Sequence, residues 1–466
     1  MRLFGFAVLF IGLMVTVAPP LYAFEAHRLD NGMEVFLEEN HIVPLVTIRL
    51  TFRAGAIVET ADINGLCHLY EHMLFKGNEL YRTQESLKAA MKRMGVGSWN
   101  GGTSTEYVTY YVTVPSDKMQ EALQFWAAAV TSPLLDVDEL SKEQEVVHNE
   151  IAGKQAEPGY KLMLAKLKAL YGEQYYRRQT GGELTVIDSA SVAQLQYIKD
   201  NFYVPNNAAL FVSGDIDPAA ALDAARQFYG SWKTGPGFPV LRKHVPLSKN
   251  LWVAVDNSPS KDIVSVAFTF RGPDTGDDVQ STYGADIWGQ AVNDPQGHFK
   301  NNMAAAVPEL HGGTRYIGAG YFTQRDGGET SFSFKIRIPE NGDLWEVINR
   351  LRSTLLQEIE KMQTDGYFAA GELAAAKVEI ENHDVLSRET AAGYMNNLSF
   401  WWASTSTEYY TGYLERIKGV TLSDAQAFLR AYVYKKNFLT SVWIHPEDDA
   451  AHGIVKRVVE LDVGDH

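Results

Sequence analysis

The segment Gly65-Leu66-Cys67-His68-Leu69-Tyr70-Glu71-His72-Met73-Leu74-Phe75-Lys76-Gly77 constrains what this chain can fold into more than any other stretch. Apolar residues cover most of its circumference at helical spacing, and a helix apolar nearly all round belongs in an interior. His68 and His72 are spaced i, i+4 with Glu71 between them, so the three side chains share an arc of about 100°. Two imidazoles and a carboxylate are costly to bury without partners, and a bound metal with a polarised water is one way to satisfy all three. His-x-x-Glu-His is the inverted zincin motif, in which both His ligate Zn2+ and the Glu takes a proton from the activated water. A pair of hydrogen-bonded core histidines is the plainer alternative.

A catalytic zinc takes three protein ligands and keeps a fourth position open, so one more ligand must come from elsewhere. The helical stretch Leu140 to Ile151 offers it. Glu143 and Glu150 lie about 20° apart on that helix, on the side of Leu140, Val146, Val147 and Ile151, while Glu145 lies opposite. Glu150 as third ligand and Glu143 as the acceptor that orients a ligand histidine give both acids a buried partner. Surface carboxylates on a slightly rotated helix are the alternative. His148 and Cys67 fall away from these faces, and neither is expected to be a ligand.

The chain has 466 residues, with 45% hydrophobic and 21% charged, which fits a folded body of two to four domains at about 100–200 residues each. The net charge of -15 argues against a nucleic-acid surface and leaves peptides or small molecules as partners. A single cysteine, Cys67, excludes an internal disulfide framework. Residues 1–23 combine Arg2, a short apolar run and Ala23, which reads as a secretory signal peptide. No later run reaches the roughly 18–20 apolar residues of a spanning helix. Export follows, to the periplasm in a Gram-negative cell, with no stable membrane span after cleavage near Ala23; a retained anchor is the alternative.

Around Asp30-Asn31-Gly32, the alternating stretches 34–37 and 45–52 read as a β-hairpin. Helices are expected from Asn64-Gly65 to about Lys76 and over about 84–94, 116–130, 137–155 and 190–201. A strand is expected over 103–114, opened by a flexible turn at Asn100-Gly101-Gly102, and another over 208–213. Lys233 to Pro239 has linker composition. The expected division is a metal-bearing domain at 24–235, a linker at 236–250 and a related C-terminal domain without a metal site at 251–466. A weak repeat supports it, with Asn207 matching Asn437 and Val212 matching Val442. Strands and helices without βαβ alternation predict an α+β fold, each half a mostly antiparallel sheet with helices on one face.

The residues quoted above, together with Leu29-Asp30-Asn31-Gly32, Arg53-Ala54-Gly55, Thr103-Ser104 and Asn207 through Gly214-Asp215-Ile216-Asp217, resemble the pitrilysin (insulinase) family of zinc peptidases. The half-size subgroup, with mitochondrial processing peptidase and bacterial relatives, is the most similar. The resemblance covers nearly the whole chain after residue 23. It implies two similar α+β halves enclosing a chamber, with one Zn2+ per chain in the first half. His68, His72 and Glu150 are then the metal ligands, Glu71 the general base and Glu143 a residue behind the ligands. Asn100 and Tyr316 are implied as substrate-binding residues. One departure stands out: the family pairs such a Tyr with an Arg seven residues earlier, and here that position is Glu309. A partner subunit of the same family supplying the Arg, or a homodimer, answers to that departure.

The reading is an exported zinc-dependent endopeptidase acting on unstructured peptides. A non-catalytic assembly or scaffold subunit with a vestigial or structural zinc is the reading from a different class. The His2Glu donor set also admits manganese or cobalt.

Overall fold

Strand β6 (Ala208–Gly214) is buried along its whole length, so it must lie inside a sheet rather than at its edge. In the computed structural model, which describes residues 24–241 and 245–463, it forms the middle of a sheet of order β1-β2-β6-β3-β5-β4. The other strands are β1 (Glu25–Arg28), β2 (Glu34–Glu39), β3 (Leu45–Phe52), β4 (Ser98–Thr103) and β5 (Val108–Pro115). β2 runs parallel to β6 and every other pair is antiparallel. The expected signal peptide, residues 1–23, lies outside the described residues.

A second sheet has the order β7-β11-β8-β10-β9. It comprises β7 (Leu251–Val255), β8 (Ile263–Arg271), β9 (Gly318–Phe322), β10 (Glu329–Arg337) and β11 (Phe438–Trp443). Its topology repeats β2-β6-β3-β5-β4, down to the single parallel pair, β7 with β11. The match of Asn207 with Asn437 falls just before the equivalent strands β6 and β11, so the weak sequence repeat marks a repeated topology.

The first half carries α1 (Leu66–Leu74), α2 (Gln84–Arg93), α3 (Met119–Thr131), α4 (Val137–Ala156), α5 (Pro158–Tyr171), α6 (Leu184–Asp188), α7 (Val192–Phe202) and α8 (Pro218–Tyr229). The second carries α9 (Val279–Asn293), α10 (His298–Ala306), α11 (Leu344–Lys361), α12 (Ala370–Ser387), α13 (Ala391–Ser404), α14 (Thr407–Gly419), α15 (Leu422–Tyr432), α16 (Pro446–His452) and α17 (Ile454–Val463). Between Tyr229 and Leu251 the described residues form no helix or strand. Among the described residues no helix is long and apolar enough to cross a membrane.

Alternation along the strands sets the layers. Val46, Ile48, Leu50 and Phe52 of β3 and Leu210 and Val212 of β6 share one core with residues of α1, α3 and α8. The opposite face of the same sheet is covered in part by the other half. Met395, Leu398 and Trp402 of α13 lie on Phe36, Ala209 and Phe211. The Arg53 guanidinium stacks 4.0 Å above the Trp402 ring and donates to the Trp402 carbonyl at 3.0 Å. Reciprocally, Leu170 and Tyr171 of α5 pack on Leu439 of β11. Between the halves, Glu106 accepts from the backbone N–H groups of Arg325 and Asp326 at 3.0 and 3.1 Å.

Three expectations need correction. The stretches 34–37 and 45–52 do not pair as a hairpin: β6 lies between them, and the hairpin around Asp30-Asn31-Gly32 joins β1 to β2. A strand buried on both faces takes the central place, which local spacing does not reveal. Asn100-Gly101-Gly102 is not a turn but the middle of β4, the edge strand, paired along its length with β5. The single strand expected over 103–114 is the end of β4, a turn and then β5. Helix α5 was not anticipated. It starts at Pro158, a residue suited to a first helical position, with only Glu157 separating it from α4.

Trp402 is fully buried between the halves, and Trp402→Ala is expected to cost about 3–5 kcal/mol in urea unfolding of the full chain. A loss below about 1 kcal/mol would show that α13 is not part of the first sheet's packing.

Candidate metal centre

Gly65 immediately precedes helix α1, and its φ of 96° suits glycine. A Cβ there would come within 2.7 Å of the Gly181 carbonyl and 2.8 Å of Gly182, so this approach requires the absence of a side chain. The first-turn N–H groups of Gly65 and Cys67 donate to the two oxygens of buried Glu59, each at 2.7 Å. A side chain six to eight residues upstream thus caps the helix, in place of a residue at its start. Every residue of α1 except His72 is buried, as expected for a helix apolar nearly all round. Cys67 is wholly enclosed in the core.

Helix α4 packs against α1 and brings its acids to the two histidines. Glu150 Oε2 lies 3.7 Å from His68 Nε2 and 3.6 Å from His72 Nε2. All three donor atoms fall within 4.8 Å of one another, the one such group of His, Cys, Asp or Glu among the described residues. Ligands about 2.0–2.2 Å from a tetrahedral zinc stand about 3.4 Å apart, so the two histidines and Glu150 fit one ion with little movement. Glu150 Oε1 pairs with Lys154 at 2.5 Å.

Glu143 is buried and accepts from His72 Nδ1 at 3.0 Å while pairing with Lys76 at 2.5 Å. Burial raises its pKa, but the bonds from His72 and Lys76 outweigh that and leave it lowered. An ionised carboxylate only accepts, so His72 Nδ1 carries the hydrogen of this bond and Nε2 faces Glu150. Burial, with the nearby His72, lowers His68 to about 4, so this ring is neutral, as a ligand must be.

Glu71 sits one turn along from His68 and accepts from Thr103 Oγ1 at 2.6 Å. Burial raises its pKa, with the Thr103 bond opposing. A Cβ on Gly101 would lie 3.1 Å from Glu71 Oε1, so edge strand β4 passes directly over this carboxylate.

The remaining expected residues are placed apart from this cluster. Asn100 is exposed on β4 and its Oδ1 accepts only from the adjacent Gly101 N–H. Tyr316 belongs to the second half, stacked on His311 at 5.2 Å, and no hydrogen bond or ion pair joins it to the cluster. Glu309 is held by Arg350. His148 turns to Asp188 at 2.8 Å, consistent with its exclusion as a ligand. Val146, expected to face inward, is exposed. Lys76 and Glu59 carried no sequence signal for their contacts, Lys154 stood at the i,i+4 spacing from Glu150 that pairs such residues on a helix, and Thr103 stood in the motif pattern without an assigned partner.

Residues 34–182 match the family profile described as insulinase, peptidase family M16, and residues 189–378 match the profile of the peptidase M16 inactive domain. The chain belongs to the insulinase family of M16 peptidases. An uncharacterized zinc protease of Bacillus subtilis is 30% identical over 207 residues, which are 44% of this chain and 50% of that protein. The β subunit of mitochondrial processing peptidase from Blastocladiella emersonii is 28% identical over 51% of this chain and 50% of its own length. The match thus spans about half the length of these curated relatives. A protease from Helicobacter pylori shares the fold with a TM-score of 0.76 at 16% identity, over 90% of this chain and 99% of its own. A periplasmic protease of Escherichia coli gives 0.72 at 16% identity, over 95% of this chain and 50% of its own. The second insulinase-family profile begins ahead of β6, so it takes in the central strand of the first sheet.

Because Glu143 fixes the His72 ring, Glu143→Gln is expected to weaken zinc binding about 10- to 100-fold, read by competition with a chromophoric chelator. Unchanged affinity would contradict that role.

Proposed function

We propose that the chain is a zinc-dependent endopeptidase that hydrolyses unstructured peptides, one zinc per chain held by His68, His72 and Glu150. The observation that carries this reading is the meeting of His68, His72 and Glu150 within 4.8 Å, with a buried carboxylate, Glu71, on the same helix face. Zinc, when bound, polarises a substrate carbonyl and acidifies a water. Glu71 receives the proton of the attacking water and hands it to the departing amine. Its raised pKa, caused by burial, makes it a stronger base than an exposed glutamate, and Thr103 keeps its second oxygen aimed. Glu143 holds His72 in the ligating tautomer. Edge strand β4, with Asn100 exposed on it, suits an extended peptide that adds main-chain hydrogen bonds alongside Glu71.

Tyr316 is proposed as a further substrate contact. With Glu309 occupied by Arg350, a partner subunit or second copy supplying an Arg stays part of the proposal. The Met1 to Ala23 segment supports export, to the periplasm in a Gram-negative cell. N-terminal sequencing of the exported protein is expected to start at Phe24, and a retained Met1 would contradict cleavage.

Purified full chain, loaded with zinc, is expected to cleave a pool of unstructured peptides. Glu71→Gln should keep the zinc and lose about 10²- to 10⁴-fold in turnover, whereas His68→Ala and Glu150→Ala should lose both. Turnover of Glu71→Gln within tenfold of the wild type would overturn the mechanism. A zinc-loaded wild type that cleaves nothing alone would favour the partner-dependent or scaffold reading.

A further inference from the structure

The second sheet has an apolar face and a polar one. Val264, Val266, Phe332, Phe334 and Phe438 turn into the core, while the alternate residues Ser265, Ser333, Lys335 and Ser441 line a cavity of about 360 Å³ on the other side. Helix α5 closes one wall of this cavity with Lys166, and the turn at Arg315 and Tyr316 closes another. Lys335 Nζ lies 4.8 Å from the centre of the Tyr316 ring and Arg315 Cζ lies 5.4 Å from it. Among the described residues, Lys166, Arg315 and Lys335 form no ion pair within 4 Å, although acids outnumber bases 57 to 42 in the chain. Three cations from three separate elements therefore converge over a floor of serine hydroxyls with no carboxylate of the protein to meet them.

Like charges placed together without counter-charges are unfavourable and gain from an anion that enters between them. Lysine ammonium groups and a guanidinium supply donors, the Ser265 and Ser333 hydroxyls add more while that of Ser441 turns to the Ala267 carbonyl, and the tyrosine ring gives an apolar wall for the carbon atoms next to the charge. The cavity is roomy enough for one extended side chain or a chain terminus. α5 follows α4, the helix of Glu150, after one intervening residue, so the wall that carries Lys166 is continuous in the chain with a helix of the candidate metal centre.

We propose that this cavity, formed by Lys166, Arg315 and Lys335 over the serine face of the second sheet, is a specificity site for a peptide carboxylate. The carboxylate is an acidic side chain or the C-terminal group of the substrate. This deepens the peptidase reading and rests on it for the identity of the ligand as a peptide.

The test is fluorescence anisotropy of labelled peptides on the full, zinc-loaded Glu71→Gln chain at low ionic strength, so that binding is read without turnover. Four peptides of one sequence are used: Glu or Gln at one position, each with a free or an amidated C-terminus. At least one carboxylate-bearing peptide is expected to bind about tenfold or more tightly than the Gln amide, as charged hydrogen bonds imply. The arm that carries the preference tells the side chain from the terminus. Lys166→Gln and Lys335→Gln should each reduce the preference to below about threefold, and Lys166→Arg should restore it, which separates a lost charge from a damaged fold. Equal binding of all four peptides, or a preference unchanged in the Lys166→Gln, Lys335→Gln double variant, overturns the proposal. Cleavage by the wild type without any carboxylate preference would remove the pocket and leave the peptidase reading. Carboxylate-selective binding without cleavage would do the reverse.

Discussion

The carboxylate of Glu143 ties the two helices of the metal centre together. It reaches from α4 to His72 Nδ1 on α1 and to the Nζ of Lys76, two residues past the end of that helix. These contacts join α4 to α1, and seven residues further along α4 Glu150 meets the two histidines. A buried acid with one partner removed is strongly unfavourable, so the pair of bonds also makes the arrangement hard to undo. The rest of the first half serves this junction. Glu59 finishes the start of α1, the two glycines at 181 and 182 let it approach, and β4 lays Thr103 on Glu71.

Among the described residues, the duplicated architecture carries the candidate donor set once. Five strands of the first sheet and the whole of the second share one order, and each half lends a helix to the other's sheet: α13 on the first sheet, α5 on the second. The helix that follows β8, α9, comes after its strand as α1 comes after β3, yet it contains no histidine. Asp286 takes a hydrogen bond from Tyr413 at 2.8 Å, and burial pushes its pKa up to about 7. A shared scaffold has thus been kept while the donor set was not, and fold alone would not tell the two halves apart.

The metal site was the most legible part of the sequence. Its signal is local: two histidines and a glutamate at helical spacing, then two acids seven apart on a helix with a clear apolar side. Helix periodicity converts such spacings directly into shared faces. The contacts across elements were much less legible. Nothing in the spacing shows that β6 inserts between β2 and β3, because strand order is decided by burial of a whole strand rather than by its neighbours in sequence. Asn100-Gly101-Gly102 has the composition of a turn, yet it is strand, and at Gly101 the missing side chain lets β4 pass close to Glu71. Lys76 and Glu59 act through tertiary contacts that no periodicity encodes.

The central claim, that two helices place two imidazoles and one carboxylate around a single ion, is tested most directly by X-ray absorption at the zinc edge on the full chain with one equivalent of zinc. The account predicts two imidazole nitrogens at about 2.0–2.1 Å with carboxylate oxygen at about 2.0–2.2 Å, and loss of that oxygen in Glu150→Ala. A sulfur neighbour at about 2.3 Å, which would implicate Cys67, or a shell without imidazole scattering, would contradict it.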